Sequence, residues 1–181
     1  MRTRSRRSQT RSRDELLATG VDIRDLRPED WPEVARIYAE GIETGNATFE
    51  TDVPSWANWD GVHLHHPRLV GTVAGELVAW AAVVPVSPRP VYSGVAEISL
   101  YVAERTRAQG VGNTLLGEFV DEADASGIWT LQTSVFPENE ASLRLLERHG
   151  FRVVGRRERI GQLDGRWRDT LLLERRSEVH E

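Results

Sequence analysis

The sequence predicts an α/β fold around one mixed, mostly antiparallel sheet, and three observations carry that prediction. Residues 68–102 hold three strand-like runs in succession, a meander. Residues 96–149 then read strand–helix–strand–helix. The chain closes on two further strand patterns, 151–160 and 168–174, joined across Leu163-Asp164-Gly165, the turn chemistry of an antiparallel hairpin. With 181 residues, no internal repeat and no linker-like stretch, a single domain is expected. Its bounds are placed at residues 21–176, between an arginine-rich arm over 1–20, expected to be flexible, and a short tail over 177–181.

Val21–Arg24 alternates as a half-buried strand does. Pro28, Glu29 and Asp30 then open a helix with Val34, Ile37 and Tyr38 at helical spacing, and its end is expected at Gly41. Ile42–Pro54 is polar and loop-like but carries Phe49. Trp56 and Trp59, three apart, suggest a short helix with a packed aromatic face. The meander strands are Arg68–Val73, Glu76–Val86 and Ala96–Val102, divided by Gly75 and by the proline-rich Pro85–Pro90. Gln109–Ala125 aligns Leu115, Leu116, Phe119 and Val120 on one helical stripe. Trp129–Val135 is rich in β-formers, and Asn139–His149 is a helix stopped by Gly150.

Composition excludes several functions. No apolar run reaches the ~20 residues that span a bilayer, so no membrane contact is expected. The arginine-rich start leads into no apolar segment, so a secretory leader is not expected and the cytoplasm is the expected location. The chain has no cysteine, hence no disulfide, thiolate metal site or cysteine nucleophile. All 23 of its Lys-or-Arg positions are arginine, which removes a Schiff-base or P-loop lysine. The net charge of −5 combines six arginines in residues 1–13 with −11 for the remainder. The arm is read as a solvated extension and no nucleic-acid partner is expected, because the acidic remainder adds no second basic patch.

The segment Arg105-Thr-Arg107-Ala108-Gln109-Gly110-Val111-Gly112-Asn113 stands between a strand and a helix. A nucleoside-triphosphate loop requires a lysine after its glycine, and a dinucleotide fingerprint requires a third glycine where Leu115 stands; both readings fail. The physical content survives. The glycines permit close backbone approach, free N–H groups at the helix start favour a pyrophosphate, and Arg107 reinforces them. The alternative is an ordinary glycine turn. Glu97, among apolar Ile98, Leu100 and Val102, is either paired, functional or a solvent-facing carboxylate on the sheet's polar face. His63-Leu-His65-His66 near Asp60 has the composition of a metal site, but adjacent histidines diverge in an extended chain and the ligand set is incomplete, so no metal is expected.

The pattern Arg107-x-x-Gly110-x-Gly112 resembles the acyl-CoA pyrophosphate loop of the GCN5-related N-acetyltransferases, the GNAT superfamily. Asn139-Glu-Ala-Ser142 through Gly150-Phe151 is similar to their second motif. Within the superfamily, IETGNATFET at 42–51, Arg89-Pro-Val-Tyr92, Glu97–Val102 and Asp164–Asp169 resemble the phosphinothricin-type amino acid acetyltransferases. The run from Trp129 to Asn139 is similar to a branch associated with arsinothricin.

That resemblance, covering residues 21–176, implies a single GNAT domain whose strands splay at a bulge to form an acyl-CoA slot. It implies acetyl-CoA as cofactor, a small glutamate-like amino acid as acceptor, and a homodimer. The cofactor would meet Leu100, Tyr101 and Val102 on the splayed strand. It would also meet Arg107, Ala108, Gln109, Gly110, Val111, Gly112 and Asn113 in the loop, and Asn139 and Ser142 on the next helix. Glu97 would be the general base that deprotonates the amine. Leu146 stands where many relatives place a tyrosine that protonates the leaving thiolate, which leaves Tyr92, Tyr101, water or no donor; Tyr101 is kept as a catalytic candidate. His149 is read as a helix cap. Arg89 would bind an acceptor anion, and Phe49, Tyr92, Arg166 and Trp167 would shape the pocket. Other acceptors, such as a methionine sulfone, a peptide N-terminus or an amino sugar, and a non-catalytic CoA-binding role, are the alternatives.

Overall fold

The computed structural model describes residues 20–180, so the arm placed at 1–20 lies, apart from Gly20, outside the described residues. Strands β1 (Val21–Asp25), β2 (Arg68–Val73), β3 (Glu76–Pro85), β4 (Val95–Val102), β5 (Thr130–Val135), β6 (Arg152–Leu163) and β7 (Arg166–Arg176) form one sheet. Their order is β1-β2-β3-β4-β5-β7-β6, and only the β4–β5 pair is parallel. The helices are α1 (Trp31–Glu43), α2 (Trp56–Val62), α3 (Val111–Ala125) and α4 (Glu140–Arg148).

The middle of the sheet explains the layering. Leu77–Val83 of β3 is buried on both faces, which is why it reads as a continuous apolar run. On one face Trp80 packs against Tyr38 of α1 (5.5 Å between ring centroids), Trp59 of α2 (5.8 Å) and Tyr101 of β4 (4.9 Å). The opposite face is covered by α3 through Leu115, Leu116 and Phe119, all fully buried. Trp56 and Trp59 stack on each other and meet Trp31 at a tilt, the packing role expected of that aromatic pair.

Helix α1 runs through Gly41 to Glu43 instead of stopping there. A Cβ at position 41 would lie 2.5 Å from the Tyr101 ring, so this glycine serves close approach, not termination. Helix α2 is capped by Ser55, whose side chain accepts from the Asn58 N–H. Its other end is held by buried Arg68, which donates to the carbonyls of Leu64 (2.6 Å), Asp60 (3.1 Å) and His63 (2.9 Å) and pairs with the Asp60 carboxylate. His63 stacks on Trp59 at 3.9 Å and hydrogen-bonds its carbonyl, while His66 pairs with Glu122. Among the described residues no group of three His, Asp or Glu side chains is arranged to hold a metal ion.

The β6–β7 hairpin turns at Asp164 (φ 50°) and Gly165 (φ 74°), both left-handed as a two-residue type I′ turn requires. It extends beyond the predicted strands because β6 is a largely exposed edge strand and carries little apolar alternation. Among the described residues no helix is long and apolar enough to cross a membrane.

Candidate active site

Strands β4 and β5 part after three rungs: Val95↔Thr130, Ala96↔Leu131 and Glu97↔Gln132. On its other side β4 stays paired with β3 from Ala96↔Pro85 to Val102↔Ala79 with no register shift. The expected bulge is therefore absent, and the strands splay because one ladder stops while the other continues. The ladder also decides which amides are free. Ala103 N–H donates to Val78 O (2.7 Å) and Val95 O accepts from Val86 N–H (3.3 Å), so the odd-numbered residues of this segment bond to β3. Gly94 O accepts from Thr130 N–H (3.1 Å), which assigns the even-numbered edge to β5. Past the last rung, the N–H groups of Leu100 and Val102 face the opening, and that of Tyr101 faces Trp80 on β3.

Two cavities, of about 490 and 300 Å³, meet at this edge. Ala47, Leu100, Tyr101, Asn139, Ser142 and Leu145 line both and form a shared neck.

The larger cavity is lined by Arg107, Ala108, Gly110, Gly112 and Asn113, joined by Thr44, Thr106 and Arg148. Ala108 (φ 61°) and Gly110 (φ 86°) are both left-handed, which turns the backbone sharply into α3. The first N–H groups of α3 have no preceding turn to bond to. A Cβ at Gly112 would press on Val102 (3.3 Å) and Leu145 (3.4 Å), so this glycine seats the helix start against β4 and α4. Gln109 and Val111 do not line the cavity with their side chains: Gln109 donates to Arg105 O (2.9 Å) and Val111 is in the core. Amides at a helix N-terminus flanked by the guanidinium groups of Arg107 and Arg148 suit a diphosphate.

The smaller cavity has a different character. Glu97 and Glu50 line it, with the hydroxyl residues Thr48, Ser99, Thr133, Ser134 and Thr170 and the rings of Phe49 and Phe136. Gln132 Nε2 donates to Glu97 Oε2 (3.0 Å), which fixes one oxygen of a carboxylate that lines the cavity. Phe49 meets Phe136 edge-on at 4.9 Å, and the missing Cβ of Gly161, which would fall 2.9 Å from the Phe49 ring, makes room for it. The loop that carries Thr48 to Glu50 is tied down by Arg168, which donates to Gly45 O (3.0 Å) and Asn46 Oδ1 (3.1 Å) and lies over Phe136. Asn139 holds the same loop through Asn46 O (3.1 Å) while its Oδ1 caps α4 by accepting from Ser142 N–H. The Tyr101 ring packs against Tyr38 (4.8 Å) and Trp80 (4.9 Å), and burial pushes both phenols above the ordinary tyrosine range.

Several predicted residues stand elsewhere. Arg89 and Tyr92 sit on an exposed turn, the guanidinium 5.6 Å from the ring, and line neither cavity. Arg166 and Trp167 are exposed on β7. Leu146 is buried and lines the smaller cavity, and His149, at the end of α4, bonds Asn113 Oδ1 (3.0 Å) and links that helix to α3. Arg168, Thr170, Gln132 and Arg148 were not anticipated. Period-two alternation from Arg166 would have put Arg168 and Thr170 on one face, which was the available signal.

Residues 21–151 match the acetyltransferase (GNAT) family. The chain is 32% identical over 167 residues to phosphinothricin N-acetyltransferase of Alcaligenes faecalis, covering 89% of this chain and 85% of that protein. It is 29% identical over 160 residues to L-methionine sulfoximine/L-methionine sulfone acetyltransferase of Pseudomonas aeruginosa, covering 85% and 93%. A GNAT superfamily phosphinothricin acetyltransferase from Sinorhizobium meliloti, solved in complex with acetyl-CoA, superposes with a TM-score of 0.78 at 26% identity, over 87% of this chain and 88% of that one. The chain belongs to the GNAT family and is an acetyl-CoA-dependent N-acetyltransferase.

Proposed function

We propose that the acceptor is the α-amino group of a small amino acid of the phosphinothricin, arsinothricin or methionine sulfone kind, with Glu97 as general base. The observation that carries this reading is a carboxylate, held by Gln132, in a small-molecule-sized cavity that opens onto the free edge of β4. The names of the relatives point to the same acceptor class.

Acetyl-CoA supplies the acetyl group as an activated thioester. The amides at the start of α3, with Arg107 and Arg148, would hold its diphosphate in the larger cavity. The Leu100 N–H offers a preorganised donor to a carbonyl oxygen lodged in the gap between β4 and β5. Glu97 takes the ammonium proton, directly or through water, so that the amine arrives as a nucleophile. Tyr101 is a poor proton source for the leaving thiolate. Burial makes its phenol hold its proton more tightly than a free tyrosine does, so as the amine bonds to the acetyl carbon and the C–S bond breaks, CoA leaves as a thiolate that takes its proton from water. Tyr101 instead shapes the neck, its ring packed between Tyr38 and Trp80.

A zwitterionic acceptor also presents a carboxylate, and no cation lines the smaller cavity among the described residues. Arg89, which pairs with no acid among the described residues, is our choice for that ligand, although it lines neither cavity in this structure. We further propose a homodimer, supported by the exposed Ile160 and Trp167 on the edge hairpin; light scattering on the purified chain tests it. The function itself is tested by acetyl-CoA-dependent thiol release against phosphinothricin, arsinothricin, methionine sulfone, methionine sulfoximine, glutamate and a short peptide with a free N-terminus. Turnover of the oxo-headed amino acids is expected. Turnover of the peptide alone would overturn the proposal.

A further inference from the structure

Thr170 is 3% exposed, lines the smaller cavity, and its hydroxyl bonds to nothing in the fold. Folded proteins rarely leave a buried hydroxyl without a partner, since valine would fill the same space at no polar cost. Three other buried side-chain atoms among the described residues share this condition: Arg36 Nη2, Trp59 Nε1 and Trp80 Nε1. Neither cavity is lined by those residues. Thr170 therefore differs from them in having a space beside it that a ligand can enter.

Its place in the sheet says which part of a ligand reaches it. Val135↔Leu171 is the last rung between β5 and β7, so Thr170 lies level with Phe136, just past the end of β5. The Leu100 amide belongs to β4, on the far side of β5. Leu100 lies past the last β4–β5 rung, where the strands part, so at least two strand spacings, about 10 Å, separate the two positions. With the acetyl group bridging from the Leu100 amide to its α-nitrogen at the neck, an amino acid of glutamate size extends its side-chain head toward β7. Ser134 lies between them on β5. The lining brings hydroxyls and two carboxylates, Glu50 and Glu97, and no Arg or His among the described residues. Such a surface offers a hydrogen bond to a neutral oxo group and repels an anionic head.

We infer that the Thr170 hydroxyl is a specificity-determining donor to the oxo group of an uncharged tetrahedral head, so that the cavity selects a sulfone- or sulfoximine-bearing amino acid over its thioether and over anionic phosphinate or carboxylate analogues. The inference rests on the small-amino-acid acceptor proposed above. On that basis methionine sulfone is the favoured acceptor, methionine lacks the group that Thr170 reads, and phosphinothricin brings a charge the lining does not match.

The test measures kcat/KM for methionine sulfone, methionine and phosphinothricin with the wild-type chain, Thr170→Val and Thr170→Ser, together with each variant's melting temperature. The wild type should prefer the sulfone to both others. Thr170→Val should melt no lower than the wild type and reduce the sulfone-to-methionine ratio roughly tenfold to hundredfold, with Thr170→Ser restoring most of it. An unchanged ratio in a folded Thr170→Val, equal losses on both substrates, or a wild-type preference for phosphinothricin would each overturn the inference while leaving the amino acid acceptor intact. A wild-type chain that acetylates none of the three and acts on a peptide instead would overturn the underlying reading, and the inference with it.

Discussion

The two cavities that meet at the β4 edge are built in opposite ways. The larger has at its far end one short run of backbone, residues 106–113, where left-handed Ala108 and Gly110 turn the chain into α3, with β4 and α4 forming its sides. The smaller is assembled from side chains of separate segments: the loop over 47–50, β4, the end of β5, α4 and Thr170 of β7. A phosphate group can be read by amides and a helix terminus, which consecutive residues provide. An acceptor is told apart by side chains, and these converge only when the sheet forms. The difference teaches that cofactor binding and acceptor choice are separable in this fold, and variants can test that separation.

The largest expected effect is on chemistry alone. Glu97→Gln should lower kcat by roughly two to four orders of magnitude, as removal of a general base does, in steady-state thiol release. Next is the cofactor side alone. Gly110→Val places a β-branched residue at φ 86°, with its Cβ in open space at the cleft, and should weaken acetyl-CoA roughly tenfold to hundredfold by calorimetry. Gly41→Ala attacks the wall between the cavities. Its Cβ would overlap the Tyr101 ring and should cost about 1–3 kcal/mol in urea denaturation. Tyr101→Phe should lower kcat by less than about tenfold, because the ring keeps its packing against Tyr38 and Trp80; a collapse of the rate would restore the phenol as a proton donor.

The smallest effect lies outside both cavities. Burial, the leading cause, lowers the affinity of His63 for a proton in the folded chain. The unfolded chain therefore binds that proton more readily, and stability is retained above the ordinary histidine value near 6.5 and lost as pH falls below it. The melting temperature should drop between pH 7.5 and 5.5, and less so in His63→Phe, which keeps a ring against Trp59.

The sequence was most legible where one physical rule acts locally. Asn139 and His149 bound α4 as its capping pattern implied, and the buried run of β3 announced a central strand. It misled where a residue answers to a distant partner. Gly41 looks like a helix stop but makes room for a ring 60 positions away, as the Cβ–ring distance of 2.5 Å shows. The family pattern drew attention to Arg166 and Trp167, while Arg168 and Thr170, in the alternating phase of the same strand, reach the site. The free Leu100 amide could not be read locally at all, because it follows from where the β4–β5 ladder stops.

The most direct test of separate cofactor and acceptor sites is a titration of acetyl-CoA into the wild-type chain, Glu97→Gln and Gly110→Val, with kcat measured on the same preparations. Glu97→Gln should bind acetyl-CoA within about twofold of the wild type while losing turnover. Gly110→Val should bind it roughly tenfold or more weakly and retain turnover at saturation. A Glu97→Gln chain that loses acetyl-CoA affinity in step with its activity would contradict the account.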